Sequence, residues 1–133
     1  PLPWVTVDEN SPSTLTESTA TAICQRSKIQ LNVHRSETPY FEWHRNVIRS
    51  MWQRTLLLTE TSYRVPGFVP GEHYFQCELE RMPAMLDWLL SAREGRESAD
   101  QVRQNAFKML QESYPMDRIL RRFLADESGG PSS

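Results

Sequence analysis

The sequence predicts a three-layer α/β domain with a small, mostly parallel sheet, helices on both of its faces and a helical carboxyl-terminal cap. Three observations carry that expectation. Between Ser27 and Tyr74 the chain reads strand, helix, strand and then a glycine-proline loop, which is the order of a parallel crossover unit. Thr55 to Thr59 is a short, nearly continuous apolar run of the kind buried on both faces in a parallel sheet. From Met82 onward the apolar residues recur at helical spacing. The length of 133 residues fits one domain over residues 1–127, with a Gly/Pro/Ser-rich tail over 128–133.

Each element has its own warrant. Val5-Thr-Val7 reads as a short first strand, and Asp8 to Pro12 as a turn into a helix for which Thr14 and Glu17 have capping-box spacing. Leu15, Ala22 and Ile23 give that helix a modest apolar stripe. Ile29, Leu31 and Val33 alternate with Gln30, Asn32 and His34, a strand pattern whose polar set faces either solvent or a covering helix. Pro39 suits a helix entry, after which Tyr40, His44, Val47, Ile48 and Met51 recur at helical spacing, with Glu42, Arg45, Asn46, Arg49 and Gln53 on the other face. Two Pro-Gly pairs within Arg64–Gly71 forbid a helix and predict a surface loop. His73 to Glu78 offers a last short strand. Helical stripes follow through Met82, Leu86 and Leu89, then Ala99, Val102 and Ala106, then Met116, Leu120 and Phe123, with breaks expected at Gly95 and Pro115.

Composition narrows the function classes. A net charge of −2 from nearly balanced acids and bases gives no electrostatic footprint for nucleic acid, so none is expected as a partner. No apolar run approaches the ~20 residues that a membrane helix requires, and the amino terminus has neither a basic nor an apolar leader region, so the cytoplasm is the default expectation. Starting at Pro1 without a methionine suggests trimming or a fragment of a longer protein. Cys24 and Cys77 have no framework spacing and read as two buried thiols in a reducing compartment. The three histidines lack a paired metal-binding spacing, so no metal is expected. No G-x-G-x-x-G, G-K-[ST] or G-x-S-x-G segment occurs, which argues against a self-contained dinucleotide site, a P-loop and a hydrolase elbow. A response-regulator receiver is excluded because the strand that should end in a phospho-accepting Asp ends in His34. No cofactor is expected.

The residues with useful chemistry gather just after two strands, where open α/β sheets place their ligand crevice. His34, Arg35 and Ser36 follow the first, where a cation, a hydroxyl and loop amides can hold an anion; Arg35 as an ordinary surface charge is the competing reading. Glu60, Thr61 and Ser62 follow the second, offering a carboxylate for sugar hydroxyls and hydroxyls for phosphate, or else solvated loop residues. Glu42 either pairs with Arg45 on the helix surface or reaches from the helix start to a ribose hydroxyl. His44, on an apolar stripe, reads as a core residue rather than a base. Glu72 and His73 make a weak acid/base pair, because neighbouring side chains of an extended segment point apart.

Ser27 to His34, Glu42-Trp-His-Arg45, Thr55-Leu-Leu-Leu-Thr-Glu60 and Val69-Pro-Gly-Glu-His-Tyr74, followed by helices carrying Arg96 and Ala99, together resemble the carboxyl-terminal half of GT-B glycosyltransferases, of the group-1 and spore-maturation type. The likeness covers roughly residues 27 to 125. It implies a Rossmann-like domain that grips a nucleotide-diphosphate-sugar donor, with an amino-terminal domain or partner subunit supplying the acceptor side of a shared cleft. Glu60 and Thr61 then match the family's donor-contacting segment, and Arg35 lies where the preceding loop approaches the cleft. In the same alignment Arg49 occupies the place of a donor-binding Glu, and Arg54 that of a small residue before the strand. The resemblance leaves two functional expectations: a donor-binding half of a glycosyltransferase, active only with its partner, or a non-catalytic interaction module that keeps the fold.

Overall fold

A computed structural model describes residues 16–34 and 46–115, together with Arg121 and Ala125. Three strands, β1 (Ile29–Asn32), β2 (Leu56–Glu60) and β3 (Phe75–Cys77), form one sheet in the order β1-β2-β3, and both pairings are parallel. The expected α/β class with a small parallel sheet is therefore observed. The strand expected over Val5-Thr-Val7 lies outside the described residues.

The central strand explains the layering. Leu56, Leu57 and Leu58 are all buried to within about a hundredth of full coverage, because alternate side chains of β2 feed opposite faces of the sheet. Leu57 joins Val47, Met51, Phe68, Tyr74, Ala106 and Leu110 on one face. Leu56 and Leu58 join Met82, Leu89, Ala99 and Val102 on the other. Each fully buried leucine contributes about 1.5–3 kcal/mol relative to exposure, so an uninterrupted apolar run is what this position requires.

Helices α1 (Glu17–Arg26) and α2 (Ile48–Trp52) lie on the Leu57 face, and α3 (Met82–Ser91) lies on the Leu56/Leu58 face. α1 begins at Thr16, whose hydroxyl accepts from the Thr19 backbone N–H at 3.3 Å; the Thr14 of the expected capping box lies outside the described residues. It is tied to β1 where the Cys24 thiol donates to Gln30 Oε1 at 3.2 Å, so the polar positions of that strand face a covering helix rather than solvent. A wide turn at Asn46 and Val47 leads into α2; Tyr40 and His44 of the expected longer helix lie outside the described residues.

α2 closes with paired backbone bonds, Arg54 N–H to Met51 C=O at 3.1 Å and Thr55 N–H to Ser50 C=O at 2.8 Å. This is the arrangement that calls for a left-handed residue after the cap, normally glycine. Arg54 takes that conformation with φ of 56°. From β2 the chain returns to β3 through residues 61–74, long enough for a parallel crossover without a helix. Gly67 and Gly71, both at positive φ, turn it, and Phe68 anchors it to the Leu57 face.

A short 3₁₀ turn, Leu79–Arg81, feeds α3, and α4 (Arg93–Ser113) follows after a single extended residue, Ala92. The break expected at Gly95 falls instead at Ala92, and Gly95 lies inside α4. The reason is packing: Gly95 is buried against the α3 backbone at Trp88 and Leu89, where no side chain fits. About 31 Å long at 1.5 Å per residue, α4 supplies Ala99 and Val102 to one core and Ala106 and Leu110 to the other. Its carboxyl end at Ser113 agrees with the break expected at Pro115.

Candidate functional site at the carboxyl edge of the sheet

Because β1 and β2 are parallel neighbours in the register Asn32 to Thr59, the residues that follow them emerge at the same edge. His34 and Glu60 meet there. Glu60 Oε2 accepts the His34 backbone N–H at 2.5 Å and lies 3.3 Å from His34 Nδ1. The His34 side chain is 4% exposed and that of Glu60 18%. The carboxylate is thereby held by one oxygen in a partly desolvated place, where hydrogen bonds to a charged acceptor are strong. Its Oε1 can take a further donor.

The other expected site residues divide. Thr61 is exposed at this edge, and Ser62 is half-buried with its Oγ sealed from solvent and without a hydrogen-bond partner among the described residues. Arg35, Ser36, Glu42 and Arg45 lie outside the described residues. Arg49, in the first turn of α2, pairs with Glu17 at the start of α1. Glu72 and His73 approach more closely than expected, with His73 Nε2 3.6 Å from Glu72 Oε1. They sit in a turn rather than an extended segment, so the pointing-apart argument does not hold. His73 nevertheless works structurally, since its Nδ1 accepts the Val69 backbone N–H at 3.1 Å and pins the loop.

A polar row beneath the edge was not expected from the sequence. Asn32, Thr59 and Gln76 are in register across all three strands. Asn46 Nδ2 donates to Asn32 Oδ1 at 3.1 Å, and Asn32 Nδ2 donates to Thr59 Oγ1 at 3.3 Å. Asn32 and Thr59 are buried, and Gln76 Oε1 is sealed from solvent with no partner among the described residues. The signal available was the polar alternation of β1. What it lacked was any sign that Thr59 and Gln76 would fall in line with it.

Two groups near the site have displaced acidities. Burial pushes the Cys77 thiol up, against the opposing pull of Arg81 and with a small push from Glu78, so the thiolate needed for nucleophilic work is disfavoured. Burial also pushes the Tyr74 phenol up, only partly offset by Arg64. Among the described residues no three His, Cys, Asp or Glu side chains gather as a metal centre requires, and no helix is long and apolar enough to cross a membrane. Comparison with protein-family models, curated proteins and solved structures returns no match.

Proposed function

We propose that this domain is the nucleotide-diphosphate-sugar-binding half of a glycosyltransferase, completed by an amino-terminal domain or partner subunit. The observation that carries the reading is the meeting of His34 and Glu60 at the tips of two parallel strands. A carboxylate oriented by a backbone N–H is suited to accept a sugar or ribose hydroxyl. Arg35, next in the chain after His34, supplies the cation for the diphosphate. The conformation of Arg54 also supports the reading: the resembled family carries a small residue there, and φ of 56° is a backbone that favours one.

A second reading, a non-catalytic interaction module, draws on one observation. Val33, Tyr63 and Leu79 follow the carboxyl ends of β1, β2 and β3 by one to three residues and are 49%, 75% and 47% exposed. Large apolar side chains bordering the same edge suit a partner surface as well as the wall of a cleft.

Calorimetric titration with uridine and guanosine diphosphates separates the two. Saturable binding of one or both is expected, weakened about tenfold or more by Arg35→Ala and by Glu60→Gln, with thermal melts confirming that both variants fold. Parent-like binding by both variants would place the site elsewhere. Absence of binding by the parent itself would leave the interaction module.

A further inference from the structure

We infer that a second site, at the opposite end of β2, binds a small oxyanion, either a phosphate or a carboxylate, between Arg54 and Arg103. Arg54 precedes β2 and Glu60 ends it, so the length of the strand, roughly 16 Å at ~3.3 Å per residue, separates this place from the strand tips. A groove of about 330 Å³ opens there, lined by Arg54, Asp100, Arg103, Gln104 and Phe107.

The backbone of Arg54 is the first reason to assign the groove a ligand. At φ of 56° a side chain is disfavoured, and glycine would hold the same turn without strain. A strained non-glycine residue there points to a use for its side chain. Its guanidinium lies over the Phe107 ring, 4.1 Å from the centroid, and Phe107 packs in turn at right angles to Trp52, with ring centroids 5.8 Å apart. Stacking uses the face of the guanidinium and leaves the N–H groups on its rim available. Among the described residues no carboxylate pairs with Arg54, unlike Arg49, Arg93 and Arg103.

Charge and geometry supply the second reason. Arg103, one helical turn before Phe107 on α4, reaches the same groove and pairs with Asp100. Two guanidiniums and one carboxylate leave the groove net positive by one. The Gln104 amide adds donors at its rim. A planar oxyanion with two or more acceptors can bridge the Arg54 rim and Arg103, a geometry the guanidinium fork favours for carboxylate and phosphate alike. Asp100 then competes with the ligand for Arg103.

That competition makes the test directional. Titration of the whole chain with inorganic phosphate and, separately, with succinate, at constant ionic strength set by chloride, should give saturable binding of at least one; which of them binds tells phosphate from carboxylate. Arg54→Gly relieves the left-handed strain and so retains the fold, yet should weaken binding about tenfold or more. Asp100→Asn should tighten it several-fold. A groove that merely stacks and packs predicts neither change. Absence of saturable binding of both anions by the parent, unchanged binding in Arg54→Gly, or weaker binding in Asp100→Asn would each overturn the assignment. Arg93→Ala, which removes an exposed cation outside the groove, serves as the control and should leave this binding unaltered.

Discussion

Thr55, immediately before β2, illustrates how much a single buried hydroxyl can hold. Its Oγ1 donates to the Cys24 carbonyl at 2.6 Å, joining the end of α1 to the start of the central strand. The residue is 2% exposed, so nothing from solvent can replace that donor. The same carbonyl also accepts the Ser27 backbone N–H at 3.0 Å, so removing the hydroxyl leaves the acceptor satisfied. Thr55→Val keeps the shape and the β-branch and should therefore cost about 1 kcal/mol, the low end for a buried hydrogen bond. In a domain of this size that lowers the melting temperature by roughly 3–4 °C, which calorimetry resolves; a drop of more than ~10 °C would mean the hydroxyl does more than join two elements. At this scale the sequence was informative about type and silent about partner. The polar alternation in β1 marked Asn32 as distinct, but only the register with β2 sets it against Thr59, and only the turn into α2 brings Asn46 to it. Arg54 was less legible still, because a charged residue at a glycine-type position carries no local signal of its conformation.

Elements were legible where burial leaves the chain no alternative. Four apolar or small residues in succession at 55–58 admit few fates in a domain this small, and β2 is buried as the run required. The α3–α4 corner was not legible, since a glycine within a helical pattern reads as a stop. Gly95 instead allows α4 to pass directly over the end of α3. A Cβ there would lie 2.6 Å from the Trp88 carbonyl carbon and closer still to its oxygen, with the Leu89 Cα at 3.1 Å, and every one of these atoms is backbone. Gly95→Ala sets two effects against each other. Helix propensity favours alanine by about 1 kcal/mol, whereas overpacking against rigid atoms costs about 1–3 kcal/mol and occasionally more. No flexible side chain can swing away, so the second effect should prevail, with a net loss of up to about 2 kcal/mol in urea melts. A stabilised Gly95→Ala would mean that the corner can open without loss, and that α3 and α4 are not locked by this approach.

The molecule as a whole has two cores divided by one sheet and rejoined by α4, and Tyr74 lies at the centre of the Leu57 core with its side chain fully covered. Its phenol is raised above the ordinary value of 10.0, mainly because burial disfavours the phenolate. A group whose folded-state pKa lies above its unfolded one contributes stability that is complete below the unfolded value and drains away as pH rises through the folded one. Stability should therefore hold up to about pH 10 and fall beyond it, as the unfolded chain ionises first. Cys77 acts with the same sign from its ordinary value of 9.0, but it is half-buried and at the sheet edge, so solvent weakens its share. The discriminating measurement is a set of urea melts between pH 8 and pH 11 on the parent, Tyr74→Phe and Cys77→Ala. Tyr74→Phe should flatten the alkaline fall whatever it costs at neutral pH, because the comparison is of slopes and not of absolute stabilities, whereas Cys77→Ala should change only its onset. Parallel alkaline limbs in the parent and Tyr74→Phe would show that the Leu57 core admits a phenolate or opens to water before the rest of the fold does, and cooperative coupling of the two cores through α4 would then have to be abandoned.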